Sequence, residues 1–130
     1  MGSRRAALKT LVLGALAACD ATVARLRGRT LVAVTTVDNV PDGSAFRTKL
    51  GDQPVIVVND KRKIRTFVAV CTHEGCPLGW NPVQHLIRCP CHGSAFNTAG
   101  AVVNGPAATP LTELETFVER DKILVVAGRL

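Results

Sequence analysis

The chain contains no tyrosine, and its whole aromatic complement is four phenylalanines and one tryptophan. Aromatic packing is thereby excluded as the main source of a core, which falls to Val- and Ala-rich runs that favour β structure. No amphipathic helical period lasts more than two turns beyond residue 30, which excludes a helical bundle. No basic cluster is interleaved with aromatics either. The formal charge is +6, but Arg4, Arg5 and Lys9 supply three of those charges, and the remaining 13 basic and 10 acidic side chains are an ordinary solubility balance. Nucleic acid is therefore not an expected partner. The run KRKIR at 61 to 65 reads as a solvated hairpin tip, with a docking patch for an acidic redox partner as the alternative. There is no internal repeat and no low-complexity segment. At 130 residues, 47% hydrophobic and 20% charged, the chain has single-domain length and enough apolar residues for a core.

A long apolar run is also missing. Thirteen residues from Ala6 to Ala18, one of them Lys9, fall short of the roughly 20 that span a bilayer. Residues 1–19 instead have the charged start, short apolar stretch and small-residue end of an export signal or membrane anchor. Ser3-Arg4-Arg5-Ala6-Ala7-Leu8-Lys9 resembles a twin-arginine signal, which exports folded, cofactor-loaded proteins. Leu16-Ala17-Ala18-Cys19 resembles a lipobox, making Cys19 a lipidation candidate; ordinary cleavage nearby is the alternative. The expected location is the periplasmic side of a bacterial cytoplasmic membrane, or the soluble periplasm. Residues 20–29 read as a polar tether.

Residues 30–127 are expected to form one all-β domain, an antiparallel sandwich or partly open barrel. Strands are predicted at 30–37, 45–50, 54–59, 64–70, 84–88, near 101–103, at 114–119 and at 122–127, with turn signals such as Pro41-Asp42-Gly43 between the early ones. A loop-built lobe, about residues 71–110, is expected to sit on this base.

The lobe concentrates the chemistry. Residues 71–76 read CTHEGC and 89–94 read CPCHGS, holding four of the five cysteines and two of the three histidines. Three readings fit these residues. Disulfides alone suit an exported protein but leave the histidines unexplained. A structural zinc would use sulfur and imidazole, yet neither loop has the common C-x2-C spacing. An iron–sulfur cluster with mixed cysteine and histidine ligation accounts for both residue types.

The two stretches resemble the paired boxes of the Rieske 2Fe-2S family, C-T-H-x-G-C and C-P-C-H-G-S, in its disulfide-bearing branch found in cytochrome bc-type complexes. The resemblance implies that Cys71, His73, Cys89 and His92 hold one 2Fe-2S cluster and that Cys76 pairs with Cys91. It implies one-electron transfer from a quinol or a catalytic partner to a cytochrome, with no catalytic residue of the chain's own. A small subunit of a molybdenum oxidoreductase of the arsenite oxidase type is the alternative, and a zinc or disulfide module the distant one. Oxygenase chemistry is not expected, because only His85 is left unassigned among the histidines. Ser94 matches the family serine that hydrogen-bonds a bridging sulfide. Phe96 stands where high-potential members have tyrosine, which implies a lower potential. Glu74 departs from the family's common leucine; it is read as a solvated loop residue, against the alternative of a carboxylate that lowers the potential. Gly105-Pro106 matches the start of the family's proline loop. Gly75, Gly79 and Gly93 are candidates for positive φ. Trp80 is expected to pack beneath the lobe and His85 to be structural or exposed.

Overall fold

The computed structural model describes residues 23–26 and 28–128. The twin-arginine pattern, the apolar segment and Cys19 lie outside these residues. Among the described residues, twelve short strands make three four-stranded antiparallel sheets. The first sheet holds β1 (Val23–Leu26), β2 (Arg29–Thr36), β12 (Lys122–Ala127) and β11 (Thr116–Glu119), in that order. The second holds β10 (Glu113–Leu114), β5 (Lys63–Val68), β4 (Gln53–Asp60) and β3 (Ser44–Leu50). The third, which is the lobe, is a meander of β6 (Gly79–Asn81), β7 (Leu86–Arg88), β8 (Ala95–Phe96) and β9 (Val102–Asn104). A single 3-10 turn at Val37–Asn39 is the helical content among the described residues, and no helix there is long and apolar enough to cross a membrane.

Strand β4 explains the layering. Its sequence QPVIVVND does not alternate, and Val55, Ile56, Val57 and Val58 are all buried to within 1%. A continuous apolar run suits a strand covered on both faces. Side chains alternate along a strand, so Val55 and Val57 pack with Val125 and Ile123 of the first sheet, respectively. Ile56 and Val58 face the other way, into a cluster with Phe67 of β5 and with Leu78, Ile87 and Phe96 of the lobe. The second sheet is thus the middle of three layers, and its far face is the floor of the lobe.

Several expectations are corrected. Part of the supposed tether is strand: Val23–Leu26 pair antiparallel with Arg29–Val32. The predicted strand at 114–119 is two strands in different sheets, because the chain crosses from β5 to β12 at Glu115. The strand predicted at 84–88 begins only at Leu86; His85 has φ of 53° and belongs to the preceding turn. The lobe is built on its own sheet rather than on loops alone.

The lobe is fastened to the base by specific contacts. Thr98 Oγ1 donates to Asp60 Oδ2 at 2.7 Å, and the Leu111 N–H donates to the Gly100 carbonyl at 2.9 Å. Gly100 has φ of +82°, and a Cβ added there would lie 2.6 Å from Cε1 of the fully buried Phe67. Gly100→Ala should combine overpacking with a left-handed backbone and cost about 2–4 kcal/mol in urea unfolding. A loss below about 0.5 kcal/mol would mean that this face of the core can yield.

Candidate metal centre

The two cysteine stretches are the six-residue loops of two hairpins. Val70 bridges Pro77 across CTHEGC, and Arg88 pairs with Ala95 across CPCHGS. Inside each loop the backbone closes in the same way. The Cys71 N–H donates to the Cys76 carbonyl at 2.8 Å, and the Cys89 N–H donates to the Ser94 carbonyl at 2.8 Å. The Gly75 N–H then returns to the Cys71 carbonyl at 2.9 Å, and the Gly93 N–H to the Cys89 carbonyl at 3.2 Å. The returning residue is left-handed in both loops, with φ of +73° at Gly75 and +81° at Gly93, a conformation that glycine adopts without strain. Gly79, the third candidate, has no positive φ and sits in β6.

This closure sorts the side chains. Cys71 and Cys89 open their loops and point inward, each only 3% exposed and packed among Phe96, Leu78 and Ala107. His73 and His92 stand on the crests, exposed, with ring centroids 5.4 Å apart and planes at 88°. Cys76 and Cys91 are joined by a disulfide that ties one loop to the other. The Cys89 sulfur lies within 4.8 Å of both disulfide sulfurs, but those two are bonded and are not available as thiolates.

Around the buried thiols the polar atoms are few and directed. Burial pushes the Cys71 thiol up, but the His73 and Glu74 backbone N–H groups, the Cys89 thiol and the Ser94 hydroxyl together hold it below its ordinary value. Ser94 is fully buried and accepts the Ala107 N–H at 3.0 Å, so its own proton is free for sulfur. That bond brings the loop after Gly105-Pro106 over the thiols, and Thr72 fixes the same loop by donating to the Thr109 carbonyl at 2.8 Å. Asn104 Nδ2 donates to the Gly93 carbonyl at 3.1 Å. Thr72 and Asn104 were not singled out in the sequence, where a hydroxyl or amide bonded to a distant backbone carbonyl leaves no pattern. Phe96 is fully buried in the same cluster as both thiols and offers no donor.

Glu74 is half-exposed, as a loop carboxylate should be, but it is not an isolated solvated group. Its Oε2 lies 3.2 Å from Nδ1 of His92, an ion pair only when that imidazole is protonated. Iron on Nδ1 would displace this carboxylate, whereas iron on Nε2 would leave it in place. Trp80 packs partly buried against the lobe core as expected, with the ring of exposed His85 5.9 Å away.

The donor set decides which cofactor fits. Two buried thiols, one of them, Cys71, held toward the thiolate form, opposed by two exposed imidazoles, suit a centre with sulfur ligands on its inner side and nitrogen ligands on its outer side. A four-ligand zinc site has no need of that division between inside and outside. The residues fit a mixed-ligand iron–sulfur cluster.

Comparison with known proteins agrees. Residues 30–117 match the Rieske 2Fe-2S domain. The cytochrome b6-f complex iron-sulfur subunit of Chlorobaculum tepidum is 35% identical over 94 residues, 72% of this chain and 52% of that one. Its counterpart in Gloeobacter violaceus is 43% identical over 77 residues, 58% of this chain and 41% of that one. The chain therefore spans about half the length of these relatives. Among solved structures, the plasma membrane Rieske protein PetC3 of Synechocystis is similar at a TM-score of 0.63 and 31% identity, covering 74% of this chain and 99% of that one. The ferredoxin of carbazole dioxygenase from Nocardioides aromaticivorans shares the fold at a TM-score of 0.64 and 24% identity, covering 75% and 98%.

The disulfide closes a segment with a sequence separation of 15. Replacing Cys76 and Cys91 together with serine should lower unfolding stability by about 3 kcal/mol. An unchanged urea midpoint would show that the loop closures hold the crests together without the bridge.

Proposed function

The chain belongs to the Rieske 2Fe-2S family, and from that premise we propose that it is a one-electron carrier whose cluster is held by Cys71 and Cys89 on one iron and His73 and His92 on the other. The observation that carries this reading is the placement of two buried thiols beneath two exposed imidazoles on twin loops. When bound, the cluster supplies a reversible one-electron couple in which histidine ligation lowers the negative charge of the centre and raises its potential.

The residues around the site define what the protein contributes. Cys71 must be deprotonated to ligate, and the N–H groups of His73 and Glu74 with the Ser94 hydroxyl favour that form. The same donors favour the more negatively charged, reduced state, so they raise the potential. Ala107 and Phe96 keep water from the sulfur side. His73 and His92 are the groups that a donor can reach, and their ring N–H groups can exchange protons with it.

The donor in this proposal is a quinol or a catalytic partner, and the acceptor is a cytochrome; the cytochrome b6-f subunits among the relatives favour the quinol. The Ser3–Lys9 pattern and the plasma membrane Rieske relative favour the periplasmic side of a bacterial cytoplasmic membrane, reached through an export signal in residues 1–19. On this reading the Rieske domain extends to about residue 127, and Cys19 remains its lipidation candidate.

Two experiments bear on the proposal. The purified chain should be red-brown, contain iron and acid-labile sulfide in equal amounts, and give a Rieske EPR signal on reduction. Cys71→Ser, Cys89→Ser, His73→Ala and His92→Ala should each abolish that signal, whereas a colourless, zinc-containing protein would refute the assignment. Phe96→Tyr places a hydroxyl among the buried thiols. A hydrogen bond worth about 1 kcal/mol more to the reduced state raises the midpoint by roughly 40 mV. A midpoint that stays put or falls in that variant would remove Phe96 as the cause of a low potential.

A further inference from the structure

Two thiols and a disulfide occupy the twin loops together. Cys71 and Cys89 are free and buried, and Cys76 and Cys91 are bonded to each other. Of the two free thiols, Cys89 is the one grouped with the bridge. Its sulfur stands within 4.8 Å of both bridge sulfurs, so a nucleophile and a disulfide are neighbours in the folded chain. That proximity takes the place of a collision with an outside reagent, from which a residue only 3% exposed is shielded. Cys89 and Cys91 also lie in one loop, with Pro90 alone between them, and that loop is already tied to Cys76. The tie can therefore pass from one cysteine to the other without moving to another hairpin. The two differ in exposure, since Cys89 is buried and Cys91 exposed.

We propose that Cys89 has a second chemistry: in the chain without its cluster it attacks the Cys76 sulfur, and the bridge passes from Cys76–Cys91 to Cys76–Cys89. The proposal rests on the metal-centre reading, because there Cys89 is a ligand and its sulfur is held by iron. The step balances within the chain. A bond forms between the Cys89 and Cys76 sulfurs as the Cys76–Cys91 bond breaks, and the electron pair of that bond leaves on Cys91. The proton that Cys89 gives up passes through solvent to the released Cys91. One disulfide is lost and one is made, so no oxidant or reductant takes part. Attack on Cys91 would instead close a ring through Pro90 alone, whose φ is fixed, so Cys76 is the target. The exchange moves the free thiol from a buried position to an exposed one. While the bridge sits on Cys89, the chain lacks one of its two sulfur ligands and takes up no cluster; thiol reduction frees Cys89 again.

The test follows thiols rather than electron transfer. The loaded full chain is stripped of iron by a chelator without thiol reductant, held at neutral pH and treated with N-ethylmaleimide while folded. It is then unfolded, reduced and labelled with iodoacetamide, and fragment mass spectrometry locates each label. In the stripped chain, maleimide on Cys91 should rise at least about tenfold over the loaded chain within hours, at a rate independent of protein concentration. Cys89→Ser removes the nucleophile and should leave Cys91 unlabelled. Cys71→Ser also lacks a ligand but keeps the nucleophile, and should label Cys91 as the stripped parent does. A stripped parent that keeps its bridge on Cys91 would overturn the proposal. So would labelling of Cys91 in Cys89→Ser, or a rate that grows with protein concentration, which marks exchange between chains. Where a variant does not accumulate, the site labelled in the parent decides. A starting protein without the Rieske signal refutes the metal centre, and the meaning of the exchange with it. One that has the signal, but whose stripped form keeps Cys89 as the free thiol, refutes the exchange alone.

Discussion

Two short loops can present thiols inward and imidazoles outward only if each loop is closed at its neck by its own backbone. The N–H of the first cysteine reaches the carbonyl five residues on, and a left-handed glycine returns its N–H to that cysteine. The two loops place their histidines at different offsets, +2 from Cys71 and +3 from Cys89, yet the shared closure brings both rings to the crest. The disulfide then joins two already shaped loops rather than shaping them. Since buried polar groups are costly unless bonded, this backbone pattern also explains how two thiols can be only 3% exposed without stranding the N–H groups around them.

The rest of the fold gives those loops a fixed floor. Strand β4 is apolar on both faces, so it binds the first sheet with Val55 and Val57 and the lobe with Ile56 and Val58. Movement of the lobe against the base would expose Ile56, Phe67 and Leu78, each of which contributes about 1.5–3 kcal/mol when buried. The cysteines belong to that same cluster. The two candidate ligand thiols and the hydrophobic core are thus one packing unit, while the histidine side is open to solvent.

Much of this was legible in the residues. The strands at 45–50, 54–59 and 122–127 lie within a residue or two of their predicted bounds, because β-branched runs between strong turn signals leave little choice. The box pattern pointed to the ligand candidates and the disulfide partners. Other features were hidden for identifiable reasons. Strands β6 and β8 have three and two residues, too few to show a period, so the lobe read as loops. Thr116–Glu119 parted from Glu113–Leu114 because sheet membership depends on distant partners. The contact of Glu74 with His92 joins residues 18 apart in the chain, which no local pattern reveals.

Electrostatics adds a gradient to the same architecture. Donors to sulfur surround Cys71, a phenylalanine without a donor lies close by, and the one carboxylate of the lobe touches the outer imidazole. The cluster's affinity for an electron is set between these, and all of them depend on which four residues are ligands. Pulsed EPR of the reduced protein, prepared with nitrogen-15 histidine, measures that directly. The account predicts two strongly coupled histidine nitrogens, with His85 contributing none. No coupled nitrogen, or a single one, would contradict the ligand set on which the whole description of the centre stands.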